Sequence, residues 1–152
     1  MEQKFYHLNI ECNLDSHVML SPDVYDSVLE GAVQVSVAPT FENDSEHLWS
    51  PEHLFAASVS TSILRAFFFY VKREQLELSD ISLKSTAKAE KRNEKYKVTE
   101  VIIVVTIGVE SEYEKEIVER MLLKAKNAYL ASETVSTKIT LRPFIEILVP
   151  AM

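Results

Sequence analysis

The stretch SPEHLFAASVSTSILRAFFFYVKR, from Ser50 to Arg73, has the features of one long helix with a defined start. Ser50 suits the N-cap position because its hydroxyl can accept a hydrogen bond from an unpaired first-turn amide. Pro51 suits the first helical position, where its missing N–H costs nothing, and Glu52 favours the positive end of the helix dipole. The pattern predicts a helix that begins after Ser50 and ends between Arg73 and Gln75.

This helix has no polar stripe. Between Leu54 and Val71 the only charged residue is Arg65, whereas an amphipathic surface helix carries charges along one side. We therefore expect a central, buried helix. The positions that could carry a reactive side chain hold small hydroxyls, namely Ser58, Ser60, Thr61 and Ser62.

Length and composition favour one folded domain that spans residues 1–152. Hydrophobic residues make up 47% of the chain, which excludes a disordered protein. The longest apolar run, Ala66 to Val71, is too short to cross a bilayer, so we expect no membrane partner. The N-terminal MEQKFYHLNIEC has no basic stretch followed by an apolar one, and we expect a cytoplasmic protein.

Cysteine, glycine and charge exclude several classes of site. Cys12 is the single cysteine, which excludes an internal disulfide and a cysteine-rich zinc site and favours a structural thiol. Gly31 and Gly108 are the only glycines, which excludes glycine-rich phosphate loops. We expect no cofactor. The net charge of −7, with Lys4 the only basic residue before Arg65, also argues against a nucleic-acid partner.

The rest of the chain alternates between strand and helix patterns. Alternation of apolar and polar residues predicts strands at residues 4–13, 32–37 and 81–90, with residues 17–20 as the return strand of a first hairpin. Residues 38–49 are typical of a surface loop, and residues 22–31 give no assignment.

The second half is predicted to contain two further strands and a helix. Residues 91–97 are predicted to form a turn, and residues 98–109 a strand buried on both sides, because the stretch VIIVVTI is apolar apart from Thr106. Ser111 to Glu114 is a capping-box pattern that opens an amphipathic helix. Residues 144–149 are predicted to be the last strand. The element order is that of an α+β layered fold.

Two separated motifs carry a resemblance to a known family. WSPEHLFAAS (residues 49–58), followed by the long apolar helix and a hairpin, and AKNAYLAS (residues 125–132) resemble the OsmC/Ohr family of osmotically inducible and organic-hydroperoxide-resistance proteins. The resemblance covers nearly the whole chain in element order. It implies a two-layer α+β fold with antiparallel sheets, a long buried central helix, a second amphipathic helix and an intertwined homodimer. The aromatic run Phe67 to Tyr70 fits core and dimer interface.

Active members of that family are thiol peroxidases with two cysteines, an arginine and a glutamate. By this resemblance Glu52 matches the glutamate, Ser62 stands at the position of the peroxide-attacking cysteine, and Tyr129 stands at that of the resolving cysteine. For the arginine the chain has no candidate before Arg65. A hydroxyl cannot follow the thiolate-to-sulfenate step of peroxide reduction. The resemblance therefore predicts a divergent relative that has lost thiol-peroxidase activity.

In place of peroxidase activity, we expect a stress-related binding protein that holds a small apolar ligand at the dimer interface. The residues predicted to line this pocket are Glu52, Leu54, Phe55, Ser58, Ser62 and Tyr129. Three alternatives stay open. The chain could be an enzyme of different chemistry that uses Ser62, Glu52 or Tyr129; it could keep a residual hydroperoxide-detoxifying role; or Tyr129 could close the pocket and leave a structural scaffold only.

Two more specific sites, a serine nucleophile and a metal site, are less well supported by the sequence. Ser62 could act as a nucleophile with His53 as base and Glu52 as orienter, but His53 lies nine residues earlier, more than two helical turns away. A metal site could use Glu46, His47, Glu52 and His53. Their spacing fits no familiar zinc pattern, so we expect no metal.

Overall fold

The computed structural model describes residue 3 and residues 8–12, 17–22, 33–36, 49–128 and 136–148. The elements in chain order are β1 (Leu8–Cys12), β2 (His17–Pro22), β3 (Val33–Ser36), α1 (Pro51–Arg73), β4 (Asp80–Arg92), β5 (Lys95–Val109), α2 (Glu112–Ala128) and β6 (Lys138–Ile147). The predicted α+β class is confirmed. The chain divides into two compact units, residues 1–54 and 55–152, and each is described by itself. A single domain over 1–152 stays a prediction.

The first unit contains an antiparallel sheet in the order β1-β2-β3. Leu8 pairs with Pro22 and Cys12 with Val18, so the predicted first hairpin is confirmed. Residues 4–7, 13, 32 and 37, which the sequence also assigned to strands, lie outside the described residues. Val35 is 2% exposed, and it forms an isolated β-bridge with Trp49. Trp49 was predicted to lie at the end of a surface loop.

Helix α1 ends where the sequence predicted. Gln75 has a φ of 56°, and the N–H of Gln75 and of Leu76 donate to the carbonyls of Lys72 and Val71 at 3.2 and 3.1 Å. This pair of bonds is a Schellman cap, in which glutamine takes the left-handed position that glycine usually occupies.

In a single chain, α1 is buried along one stripe. The buried residues recur at helical spacing, namely Ala56, Val59, Ser60, Ile63, Phe67 and Val71. The opposite stripe of the second unit is exposed and contains Ser58, Thr61, Arg65, Phe68, Phe69 and Lys72. The predicted long core helix is therefore present, but burial all round its circumference is not reached within one chain.

The second unit contains a three-stranded sheet in the order β4-β5-β6. The expected antiparallel pairing holds for β4 and β5, but β6 runs parallel to β5. A parallel neighbour needs a crossover connection, and α2 lies in the segment that joins the two strands. The sheet is thus mixed.

One face of this sheet forms the core. Four rows of residues cross the three strands, and they are Ala87–Val101–Ile139, Ser85–Ile103–Leu141, Leu83–Val105–Pro143 and Ile81–Ile107–Ile145. The β5 member of each row is at most 1% exposed, and it belongs to one apolar cluster with the buried stripe of α1 and with Val118, Met121, Leu122 and Ala125 of α2. Both helices therefore cover the same face of the sheet.

The other face of β5 is only half-buried, so the predicted burial on both sides is wrong for this face. Ile102, Val104 and Thr106 alternate with the core residues. Val104 lies between Lys84 and Arg142 in the register, and long basic side chains cover an apolar neighbour with their stems while their charged ends stay in water.

An ion pair on this outer face links β5 to β6. Lys138 Nζ lies 3.7 Å from a carboxylate oxygen of Glu100. The Thr140 hydroxyl donates a hydrogen bond to the same carboxylate and lowers the pKa of Glu100 below its ordinary value. The lysines of the β4–β5 hairpin are exposed.

The β4–β5 turn is shorter than predicted. Instead of residues 91–97, it has two residues, Asn93 and Glu94, with φ angles of 51° and 63°. Positive φ at both central residues is the geometry of type I′ turns, whose twist matches the flanking strands. The last strand also begins earlier than predicted, at Lys138 instead of Phe144.

Helix α2 begins as its capping pattern predicted. The Glu114 N–H donates to Ser111 Oγ at 3.2 Å, and a carboxylate oxygen of Glu114 accepts from the Glu110 N–H at 2.8 Å. The carboxylate thus reaches one residue further back than in an ideal capping box.

By length and composition alone, α1 could cross a membrane. The apolar run Ala66 to Val71 is too short to cross a bilayer. The small residues elsewhere in the 23-residue helix nevertheless keep the whole segment apolar. The core helix of a soluble protein passes the same test, and 33% of the apolar window is buried in this chain. The absence of a membrane partner stays a prediction.

A polar contact joins α1 to the sheet. Ser60, which is 3% exposed, donates from Oγ to the Oγ of Ser85 at 2.7 Å. Ser85 is the one hydroxyl in the four core-face rows, and Ser60 is the one polar residue in the buried stripe of α1. The two hydroxyls satisfy each other and fix the helix above the second row.

We predict that Ser60→Ala lowers the free energy of unfolding by about 1 kcal/mol, because it removes this hydrogen bond and leaves a gap under the helix. The measurement is urea unfolding followed by circular dichroism. Ser58→Ala is the matched control, since Ser58 is an exposed serine on the same helix. It gains helix propensity of up to ~0.5 kcal/mol and loses no contact. Equal changes in the two variants would contradict the contact.

Candidate functional site

Five of the six predicted site residues lie on α1, and Tyr129 lies outside the described residues. In the first unit, Glu52 and Leu54 are half-buried in the first turn of the helix. In the second unit, Phe55 and Ser62 are half-buried and Ser58 is exposed. Phe55 packs against the edge of the apolar core.

Ser62 differs from the two hydroxyls that precede it. Ser60 is bonded to Ser85, and Thr61 donates to the Ala57 carbonyl at 2.7 Å. Within the described part of the chain, the Ser62 hydroxyl forms no hydrogen bond. Ser62 directly precedes the core residue Ile63 in the sequence. Its side chain is therefore rotated by about 100° around the helix axis from that of Ile63. Ser62 therefore offers a free donor and acceptor on the side of α1 that faces away from the sheet.

His53 has a capping role. The Ser50 N–H and the Ser50 hydroxyl lie 3.1 and 2.7 Å from His53 Nδ1, and the His53 N–H donates to Ser50 Oγ at 3.3 Å. Because a backbone N–H can only donate, Nδ1 is an acceptor here. The arrangement is a capping box in which histidine replaces the usual glutamate, and it confirms Ser50 as the N-cap.

The capping contact weakens the proposed Ser62–His53–Glu52 nucleophile. Nδ1 of His53 is occupied by Ser50, and the ring packs edge-on to Trp49 with centroids 6.1 Å apart. This role of His53 was not predicted, although the spacing Ser50-x-x-His53 is that of a capping box.

The metal alternative gains no support from the described residues. Among them, no group of three or more His, Cys, Asp or Glu side chains could hold a metal ion. Glu46 and His47, which the alternative needs, lie outside that part of the chain. Cys12 lies in β1, where its backbone pairs with Val18.

The aromatic run of α1 has two different environments. Phe67 is fully buried in the core, as predicted. Phe68 and Phe69 are 45% and 63% exposed, and they lie on the stripe opposite to the core. Their place in a dimer interface stays a prediction. Chemically, this face of α1 combines a free hydroxyl with exposed aromatic surface.

The structure is similar to several solved structures. An OsmC-like protein of unknown function from Vibrio cholerae matches with a TM-score of 0.75 at 14% sequence identity, over 93% of this chain and 99% of that chain. An OsmC-like protein from Mycoplasma pneumoniae matches with a TM-score of 0.71 at 14% identity, over 95% and 99% of the two chains. An organic hydroperoxide resistance protein from Elizabethkingia anophelis matches with a TM-score of 0.68 at 16% identity, over 97% and 100%.

No protein-family model and no curated protein matches the sequence. The likeness is therefore one of three-dimensional structure, and it extends over nearly the full length of each chain. The chain has the OsmC-like fold, which it shares with organic hydroperoxide resistance proteins.

Proposed function

We propose that this chain is a non-catalytic, stress-related relative of the organic hydroperoxide resistance proteins, and that it holds a small apolar ligand where a second copy covers the exposed face of α1. The observation that carries the proposal is Ser62. It stands at the position that the family resemblance gives to the peroxide-attacking cysteine, it is half-buried, and within the described residues its hydroxyl has no partner.

The chemistry of Ser62 argues against peroxide reduction. A thiolate attacks one peroxide oxygen, the O–O bond breaks, an alcohol leaves after protonation, and the sulfenate is later reduced by a second thiol. Attack by a serine oxygen would form a new O–O bond in place of the old one and would reduce nothing. Cys12, the single thiol of the chain, lies on β1 and not on α1.

The exposed stripe of α1 supports a second copy as partner. Phe68 and Phe69 are both exposed on the stripe opposite to the core, and aromatic side chains are enriched at protein interfaces. Burying one phenylalanine side chain contributes about 1.5–3 kcal/mol. The same face carries Ser58 and Ser62, so a partner that covers the phenylalanines would also enclose the hydroxyls.

An interface of this kind would form an apolar pocket with few polar groups, which is the usual character of small-molecule sites. Phe55, Ser58 and Ser62 would line it, together with Glu52, Leu54 and Tyr129 from the predicted set. The Ser62 hydroxyl would orient a polar end of the ligand. We expect the protein to act in the cytoplasm.

We predict that the purified protein shows no dithiol-dependent reduction of cumene hydroperoxide above the uncatalysed rate. The measurement is peroxide consumption in the presence of dithiothreitol. The Cys12→Ala variant is the control. A wild-type rate that this variant abolishes would support the residual detoxifying alternative and contradict the proposal.

We also predict that native mass spectrometry of freshly purified protein detects a dimer with a bound apolar molecule. Ser62→Trp should abolish the bound mass, because the indole fills the space beside the helix. Ser82→Trp is the matched control, since Ser82 is exposed on β4 and belongs to the outer face of the sheet; it should leave the bound mass unchanged.

Two results would overturn this proposal. Wild-type protein that is monomeric and ligand-free would support the scaffold alternative. Stoichiometric labelling of Ser62 by a serine-directed fluorophosphonate, with loss of labelling in Ser62→Ala, would support an enzyme of different chemistry.

A further inference from the structure

A cleft in the second unit lies where the end of α1 meets α2. Its volume is about 220 Å³, and its lining residues are Tyr70, Glu74, Tyr113, Ile117, Arg120, Met121 and Lys124. None of them belongs to the predicted ligand-binding set. A cavity of about 150 Å³ holds a benzene ring, so this cleft has room for a ring with one small substituent.

Two cations lie on the same side of this cleft. Arg120 and Lys124 are four residues apart on α2, which places their side chains one above the other on one helix face. Among the described residues, no carboxylate lies within ion-pair distance of either. Lys124 Nζ instead lies over the Tyr70 ring, 5.9 Å from its centroid. Glu74 is the one acid in the lining, so the cleft carries a net positive charge in a chain whose net charge is −7.

The remaining lining is apolar and aromatic. Met121 is 5% exposed and Ile117 is half-buried, and both belong to the surface of the core. Tyr70 is half-buried, and Tyr113 is 72% exposed. Aromatic side chains pack against flat rings in offset or edge-on arrangements. The cleft thus combines apolar and aromatic side chains with two adjacent cations.

We propose that this cleft binds a small aromatic anion, a ring that carries one carboxylate or phosphate group. The ring would lie against Met121 and Ile117 beside the two tyrosines, and the anionic group would accept hydrogen bonds from Arg120 and Lys124. Arg120 suits this role because its planar guanidinium can bind two anionic oxygens at once. We expect anions without an apolar ring to bind more weakly. The acidic protein repels any anion, and only a ligand with a ring also gains contacts with the apolar lining of the cleft.

The test is titration of the full-length protein with benzoate and with phenyl phosphate, followed by amide chemical shifts. We expect the largest shifts at cleft residues and a dissociation constant on the order of 1 mM, as for other small fragments. Binding should weaken as salt is added. Arg120→Gln should weaken binding about tenfold. Glu74→Gln should strengthen it about threefold, because the variant removes a like charge from the cleft.

Lys126→Gln is the matched control, because Lys126 lies on α2 but not in the cleft. It should leave the dissociation constants unchanged. Comparison of the dissociation constants of benzoate and phenyl phosphate shows whether the cleft prefers a carboxylate or a phosphate group. Benzyl alcohol tests the need for charge, and inorganic phosphate tests the need for a ring.

Three outcomes would overturn the proposal: benzyl alcohol binding as tightly as benzoate, inorganic phosphate binding as tightly as phenyl phosphate, or Arg120→Gln behaving like Lys126→Gln. All the substituted residues are exposed or half-buried, and thermal unfolding of each variant confirms that a change in affinity does not come from misfolding.

Discussion

The packing of one stripe of α1 onto the core face of β5 is the constraint on which the second unit depends. Val101, Ile103, Val105 and Ile107 are each at most 1% exposed, and they can be so only because helices cover the alternate residues of the strand. The strand has a period of two and the helix a period near 3.6, and the buried apolar residues of both belong to one cluster. The Ser60–Ser85 hydrogen bond joins the helix to β4 of the same sheet.

This constraint bears on the proposed departure from peroxidase chemistry. The buried stripe holds the fold together, whereas Ser58, Ser62 and Phe69 lie off it and contribute little to the core. Substitution of a reactive residue on that side of the helix would abolish its reactivity with little effect on the free energy of unfolding. The proposed loss of sulfur chemistry is therefore compatible with the OsmC-like fold, and the exposed side of α1 remains available to the proposed second copy and ligand.

The elements that the sequence predicted well are those with a local signal. Ser50-Pro51 and Ser111 to Glu114 mark helix starts through capping chemistry. The β4–β5 turn was missed because Asn93 and Glu94 adopt positive φ without the glycine that usually signals it. The start of β6 was missed because Arg142 and Pro143 interrupt the apolar pattern, which an edge strand tolerates.

The site was only partly predictable for a different reason. The capping role of His53 is local and could have been found from its spacing to Ser50. The pairing of Ser60 with Ser85 and the meeting of Tyr70 with Lys124 join residues that are far apart in sequence, and no local pattern encodes them. The parallel pairing of β6 also depends on the crossover through α2, which is a property of the whole unit.

The most direct test of the account is the reactivity of single cysteines at two adjacent positions of α1. In a Cys12→Ala background, Ile63→Cys and Ser62→Cys are labelled with a maleimide over a range of protein concentrations. We predict that position 63 is unreactive at every concentration, since Ile63 is 1% exposed. Position 62 should react in dilute solution and become protected as a second copy covers it. Equal reactivity at both positions, or labelling of position 62 that does not change with concentration, would contradict the account.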